Sequence, residues 1–250
     1  MAPTTLTEPE LTGPFNEAFQ QIQEGIKKAV DGFNALVEKV NKWSWLLGAP
    51  ALLWIKRNLD RVREALAKVV ERAKYAVEHQ APVLSLIVNS FRWVGAVKTP
   101  VSDLSLASTE PADQDLPKWT GDAAIAYERK AGQQKGAIDD MVVKAEFISQ
   151  WLFKIAQSNV DFALELAKIV TGLAKKIIEA AGEAAGVITI PLVVETLSDA
   201  VGGLVETGLN RLVEIGSRFV EALGNVRDIN GQVGDHSKLP NGRWPEAVTG

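Results

Sequence analysis

Apolar residues recur along most of this chain at alternating steps of four and three, the spacing of one face of an α-helix. Phe15, Phe19, Ile22, Ile26, Ala29, Phe33, Leu36 and Val40 form a first stripe. Ile55, Leu59, Val62, Leu66, Val69, Ala73 and Ala76 form a second, with Lys, Arg and Glu on the remaining faces. An average period of about 3.5 residues is that of left-handed, coiled-coil-like pairing, so the spacing predicts that these two helices zip together. Gly48, Ala49 and Pro50 interrupt the pattern and place a hairpin tip near residue 49. Pro82 interrupts it again, but Leu84, Ile87, Phe91 and Val94 resume the stripe, which predicts a kink and not an end. Residues 51–95 as one helix would span roughly 65 Å, so the sequence predicts a rod.

From Lys98 to Lys118 the periodicity gives way to Thr, Ser, Asp, Glu and the prolines at 100, 111 and 117, the composition of an exposed linker. Helical spacing returns after Trp119-Thr120-Gly121. Met141, Ala145, Ile148, Leu152 and Ile155 are followed by Phe162, Leu166, Ile169, Leu173, Ile177, Ala181, Ala184 and Ile188, with no breaker before Pro191: one very long helix or two. A last stripe, Leu197, Val201, Leu204, Leu209, Leu212, Ile215, Phe219 and Leu223, is weakened by glycines at 202, 203, 208 and 216. Strand-like alternation is confined to Val187–Val194, which Pro191 breaks. The predicted fold is all-α, an elongated antiparallel bundle of long helical hairpins. It forms one domain over 14–226: a first hairpin (14–98), a linker (99–118) and a second half (119–226). A tail over 1–13 precedes it and a flexible tail over 227–250 follows. The stripes at 162–188 and 197–223 are wider than two partner helices cover, which predicts a homo-oligomer or heteromer.

Composition removes several function classes. Of 250 residues, 46% are apolar and 23% charged, which excludes a disordered chain. The net charge of −4, with bases dispersed among acids, argues against nucleic acid as a partner. There is no cysteine, hence no disulfide framework and no thiolate nucleophile. His79 and His236 belong to no metal-ligand spacing, so neither a metal nor a cofactor is expected. Asp139 and Asp140 point about 100° apart on a helix and read as a solvated face, not as a catalytic pair. Glu179 and Glu183 share a face but lack the Glu-x-x-His partners of a carboxylate metal site. With no phosphate-binding glycine loop either, the sequence predicts a protein that is not an enzyme. Met1–Pro14 is acidic and polar, unlike a Sec signal peptide, so export would need another route.

Two segments carry recognition chemistry. The run Trp43–Ile55 is the most hydrophobic stretch and holds three of the seven tryptophans, with Lys39 and Lys42 before it and Lys56 and Arg57 after it. Trp43, Trp45, Leu46, Leu47, Leu53 and Trp54 either cap the bundle end, meet a partner protein, or dip into a membrane interface. The run is too short to span a bilayer. A mean hydropathy of +0.02, high for a charged helical chain, keeps a lipid-binding or pore-forming protein as the alternative function.

The second segment is Trp119-Thr120-Gly121-Asp122-Ala123-Ala124-Ile125-Ala126. A glycine permits a tight reversal, Thr120 or Asp122 can satisfy free N–H groups, and Asp122 suits the positive end of the new helix. The small Ala123, Ala124 and Ala126 would admit a neighbouring helix, with Trp119 wedged over it. This segment resembles the Trp-x-Gly turn of the WXG family of type VII (ESX) secretion proteins, and its longer form is similar to the PPE-like half of EspB-type substrates. The resemblance covers 118 to about 135, with compatible pattern to about 160. It implies a secreted or cell-envelope-associated, non-enzymatic structural or interaction protein, made in the bacterial cytoplasm. It further implies that Trp119, Gly121 and Asp122 belong to the recognition turn, and that the partners are the secretion machinery or a small helical WXG- or PE-like protein. Three departures stand out. The linker is long, the segments beyond 160 exceed a minimal hairpin, and the family's Tyr-x-x-x-Asp/Glu signal is missing: Tyr75 is followed four residues on by His79, and Tyr127 by Ala131.

Overall fold

The computed structural model describes residues 7–107, 118–224, 226–239 and 243–245. The second half of the expected linker and parts of both expected tails lie outside them. The described residues are helical throughout their regular structure. α1 (Glu8–Trp43) and α2 (Ala49–Glu78) form a hairpin joined by a 3-10 turn at Ser44–Leu46. α3 (Gln80–Trp93) runs through a π-helical turn at Val94–Lys98 into α4 (Thr99–Ala107). After the Trp-x-Gly segment come α5 (Asp122–Glu183), α6 (Thr189–Gly224) and α7 (Val226–Gly234). The chain divides into two compact units, residues 1–84 with 157–219 and residues 85–156 with 220–250, where the sequence reading drew one domain.

In the first unit the stripes become the core. All seven apolar positions of the second stripe are buried, as are Phe15, Phe19, Ile22, Phe33, Leu36 and Val40 of the first. Each fully buried Leu or Ile contributes roughly 1.5–3 kcal/mol. Gly25 of α1 lies against Val170 of α5, Gly32 against Ile177, and Lys39 donates a hydrogen bond to the Ala181 carbonyl. Residue numbers rise together in these contacts, so α1 and the 157–183 part of α5 run in the same direction. α6 turns back along α5, with Leu204 beside Gly172 and Ile169 beside Gly208. Antiparallel pairing therefore holds inside each hairpin, and the hairpins lie side by side with α1 parallel to α5. A groove of about 650 Å³ between α2 and α6 is lined by polar and small residues, among them Arg61, Lys68, Asp199 and Gly203.

Several boundaries differ from expectation, one through a capping box and others through prolines in a first helical turn. α1 starts at Glu8, inside the expected tail, because Thr7 and Glu10 form a capping box in which the Thr7 N–H donates to Glu10 Oε2 at 2.6 Å. Pro82 does not kink a continuous helix: α2 ends at Glu78, His79 leaves the helix, and Pro82 sits third in α3. Pro191 is likewise third in α6, so the break falls upstream, at Ala184–Ile188. The N–H groups of a first turn have no intrahelical acceptor, so a proline there removes no hydrogen bond. Pro100 takes the second position of α4, which makes 99–107 helix where linker was expected. α5 is one helix, and it resolves the one-or-two alternative for 122–183.

The second unit is held more by polar contacts. Phe91 meets Phe153 edge-on, with ring centroids 5.9 Å apart. Lys98 pairs with Glu146, Ser105 donates to Asp139, and Lys135 pairs with Asp139 at 2.6 Å. The expected flexible tail is tied down in part: Lys144 donates to the Asp235 carbonyl and Gln134 Nε2 to the Pro245 carbonyl at 2.9 Å, with Pro245 buried.

Candidate functional site

Trp119, Gly121 and Asp122 are brought together at the start of α5. Gly121 has φ +101°, a conformation that L side chains rarely adopt, while the space around it is open. The backbone and not crowding therefore requires glycine here. Its carbonyl accepts the first helical hydrogen bond, from the Ile125 N–H at 3.1 Å, so Gly121 caps the helix and Asp122 opens its first turn. The Asp122 carboxylate there faces the positive end of the helix dipole. Trp119 is 45% exposed. Its ring leans on Tyr127 of the same helix, centroids 5.8 Å apart, where a neighbouring helix was expected beneath it. Of the three alanines only Ala124 is buried; Ala123 and Ala126 face water, so the small residues do not serve a close helix contact at those two positions.

Tyr127 and Ile125, both exposed, extend this surface and were not counted among its recognition residues in the sequence. They lie off the buried stripe that runs through Ala124, Ile138 and Ala145, and that displacement is the signal that would have found them.

At the α1–α2 turn the candidate contact residues separate into two groups. Trp45, Leu46, Leu53 and Trp54 are exposed, Trp45 at 78% and Leu53 at 70%. Trp43 and Leu47 are half-buried, and Lys42 Nζ stands 5.6 Å from the centre of the Trp43 ring. The exposure of Trp45, Leu46, Leu53 and Trp54 sets these four apart from a sealed cap on the bundle end. This group and the Trp119 turn fall in different compact units.

Asp139, Asp140 and Glu146 make ion pairs with lysines. Asp139 and Asp140 are half-buried and paired, not a solvated face; Lys144 stands 2.7 Å from Asp140 Oδ2. The Lys135 ammonium, and after it the Ser105 hydroxyl, hold the Asp139 carboxyl below its ordinary value. Lys98, then Gln150, do the same for Glu146. His79 is exposed, stacks on Tyr75 and reaches the Tyr75 carbonyl through Nδ1 at 2.7 Å, closing the end of α2. Among the described residues no group of His, Asp and Glu is placed to hold a metal ion, and no helix is long and apolar enough to cross a membrane.

The stripes that were expected to require a second copy are largely covered within the chain. Leu166, Ile169, Leu173, Ile177, Leu197, Val201 and Leu212 are all buried. The physical argument for assembly therefore moves to the exposed groups at the turns. No protein-family model, no curated protein and no solved structure matches this chain, so its resemblance to the Trp-x-Gly family rests on the residues of the turn.

Proposed function

We propose that this chain is a non-enzymatic interaction protein exported by a type VII secretion system, and that Trp119, Gly121 and Asp122 form its recognition turn. The observation that carries the proposal is the half-exposed Trp119 ring, held over Tyr127 beside a glycine at positive φ, at the start of a 62-residue helix. A tryptophan kept for packing would be buried. One left in water on a pre-formed turn suits recognition, since aromatic side chains dominate contact energetics at interfaces. The partner fits the same reading: neither Tyr75 nor Tyr127 is followed four residues on by a carboxylate, so a small helical protein carrying that signal would complete the surface.

The test is export from a competent strain. Trp119→Ala is expected to remain in the cells while its far-UV circular dichroism stays helical, and export at the wild-type level would overturn the proposal. The ring is half in water, so its loss costs about 2 kcal/mol, less than a core tryptophan, and the circular dichroism of the variant separates retention from unfolding.

A further inference from the structure

Exposed apolar side chains gather at one end of the unit formed by residues 1–84 and 157–219. The α1–α2 turn contributes Trp45, Leu46, Leu53 and Trp54. The α5–α6 turn contributes Ile188, 92% exposed, and Leu192, 66% exposed. Both turns lie at the same end, because α1 and α5 run parallel there and Lys39, near the end of α1, binds the Ala181 carbonyl near the end of α5. Apolar groups left in water at turns bury only part of their area, most of all Trp45, Leu53, Ile188 and Leu192, and clusters of such groups mark contact surfaces.

The charge around this end selects the occupant. Residues 39–57 carry Lys42, Lys56 and Arg57 as cations besides Lys39, whose ammonium is engaged by the Ala181 carbonyl, and no acidic residue, with Glu38 at their border, in a chain whose net charge is −4. Residues 184–194 are uncharged, with Glu183 and Glu195 only at their borders. Tryptophan and leucine flanked by bases suit a phospholipid interface, where the rings settle at headgroup depth and the cations meet lipid phosphates. No described helix can span a bilayer, so the contact is peripheral.

We propose that this end of the bundle docks on an anionic phospholipid surface, with both turns inserting into the interface. The proposal does not depend on the route of export. The test is co-sedimentation of the full chain with vesicles of mixed phosphatidylcholine and phosphatidylglycerol, and with vesicles of phosphatidylcholine alone. Wild type is expected to bind the mixed vesicles at least about tenfold more tightly, with a blue shift of tryptophan fluorescence. Trp45→Ser combined with Trp54→Ser, and separately Ile188→Ser combined with Leu192→Ser, should each weaken binding by about tenfold while circular dichroism is unchanged. Trp119→Ala should bind as wild type does, which separates this surface from the export turn. Absence of binding, equal binding to both vesicles, or binding undiminished in the tip variants would overturn the proposal. Lipid-free self-association of wild type that the tip variants abolish would also overturn it, by assigning this end to a contact between copies.

Discussion

At Gly25 and Gly208 the missing side chain decides how closely two helices pack. A Cβ on Gly25 would stand 2.6 Å from Val170 Cγ1, and one on Gly208 2.5 Å from Ile169 Cγ1, both on stiff β-branched residues. Alanine would gain about 1 kcal/mol of helix propensity at either site and lose about 1–3 kcal/mol to overpacking. Gly25→Ala and Gly208→Ala are therefore expected to lower the melting temperature. Gly202 and Gly203 face open space, and alanine there should raise stability by roughly 0.5–1 kcal/mol. Thermal melts check the sign at each position, and a stabilised Gly208→Ala would contradict the packing described. The sequence marks Gly202, Gly203 and Gly208 alike as weak points of one helix and does not mark Gly25, because what distinguishes them is a neighbour from another helix. Gly121→Ala acts differently: positive φ with room to spare should cost about 1–3 kcal/mol, read as loss of hydrogen-exchange protection in the first turns of α5.

Among the elements, the α2 stripe was fully legible because one heptad-like signal outweighs everything else along that helix. Helix starts were legible at Ala49 and Asp122, where a glycine precedes them, and not at Glu8, Gln80 and Thr189. Pro9, Pro50, Pro82 and Pro191 all occupy the second or third position of a helix, so each marks a beginning one or two residues upstream, whereas Pro100 follows a π-helical turn in a run that continues from α3. The Thr7-x-x-Glu10 capping box was present in the sequence and names the true start of α1. In α5, ion pairs replace the dense apolar packing of the first unit, and this makes its 122–156 part sensitive to acid. Lys135 lowers the Asp139 pKa, Lys98 that of Glu146, and the Ser237 N–H that of Asp235. A depressed carboxyl stabilises the fold above its unfolded value, 3.8 for Asp and 4.5 for Glu, and loses that contribution as pH falls through the lower folded value. Glu10, held low by the Thr7 N–H, acts only on the first turn of α1, so native-state hydrogen exchange is expected to show residues 85–156 opening before residues 15–84 as pH drops from about 5 toward 3. Simultaneous loss of protection in both would contradict this.

For the whole molecule, the all-α class and both hairpins follow from periodicity, whereas the division into two units does not, because α3 and α5 run across its boundaries without a break in pattern. The Trp-x-Gly turn was visible as a motif; the exposure of Trp119 and its contact with Tyr127 were not, since periodicity says nothing of residues that precede a helix. The two candidate surfaces make separable claims. Side-by-side measurement of secreted and cell-associated chain in one competent strain tests the central one most directly. It compares wild type, Trp119→Ala, and the Trp45→Ser/Trp54→Ser pair. The account predicts that Trp119→Ala alone is retained, with the tip pair exported at the wild-type level. Export of Trp119→Ala at the wild-type level would contradict it.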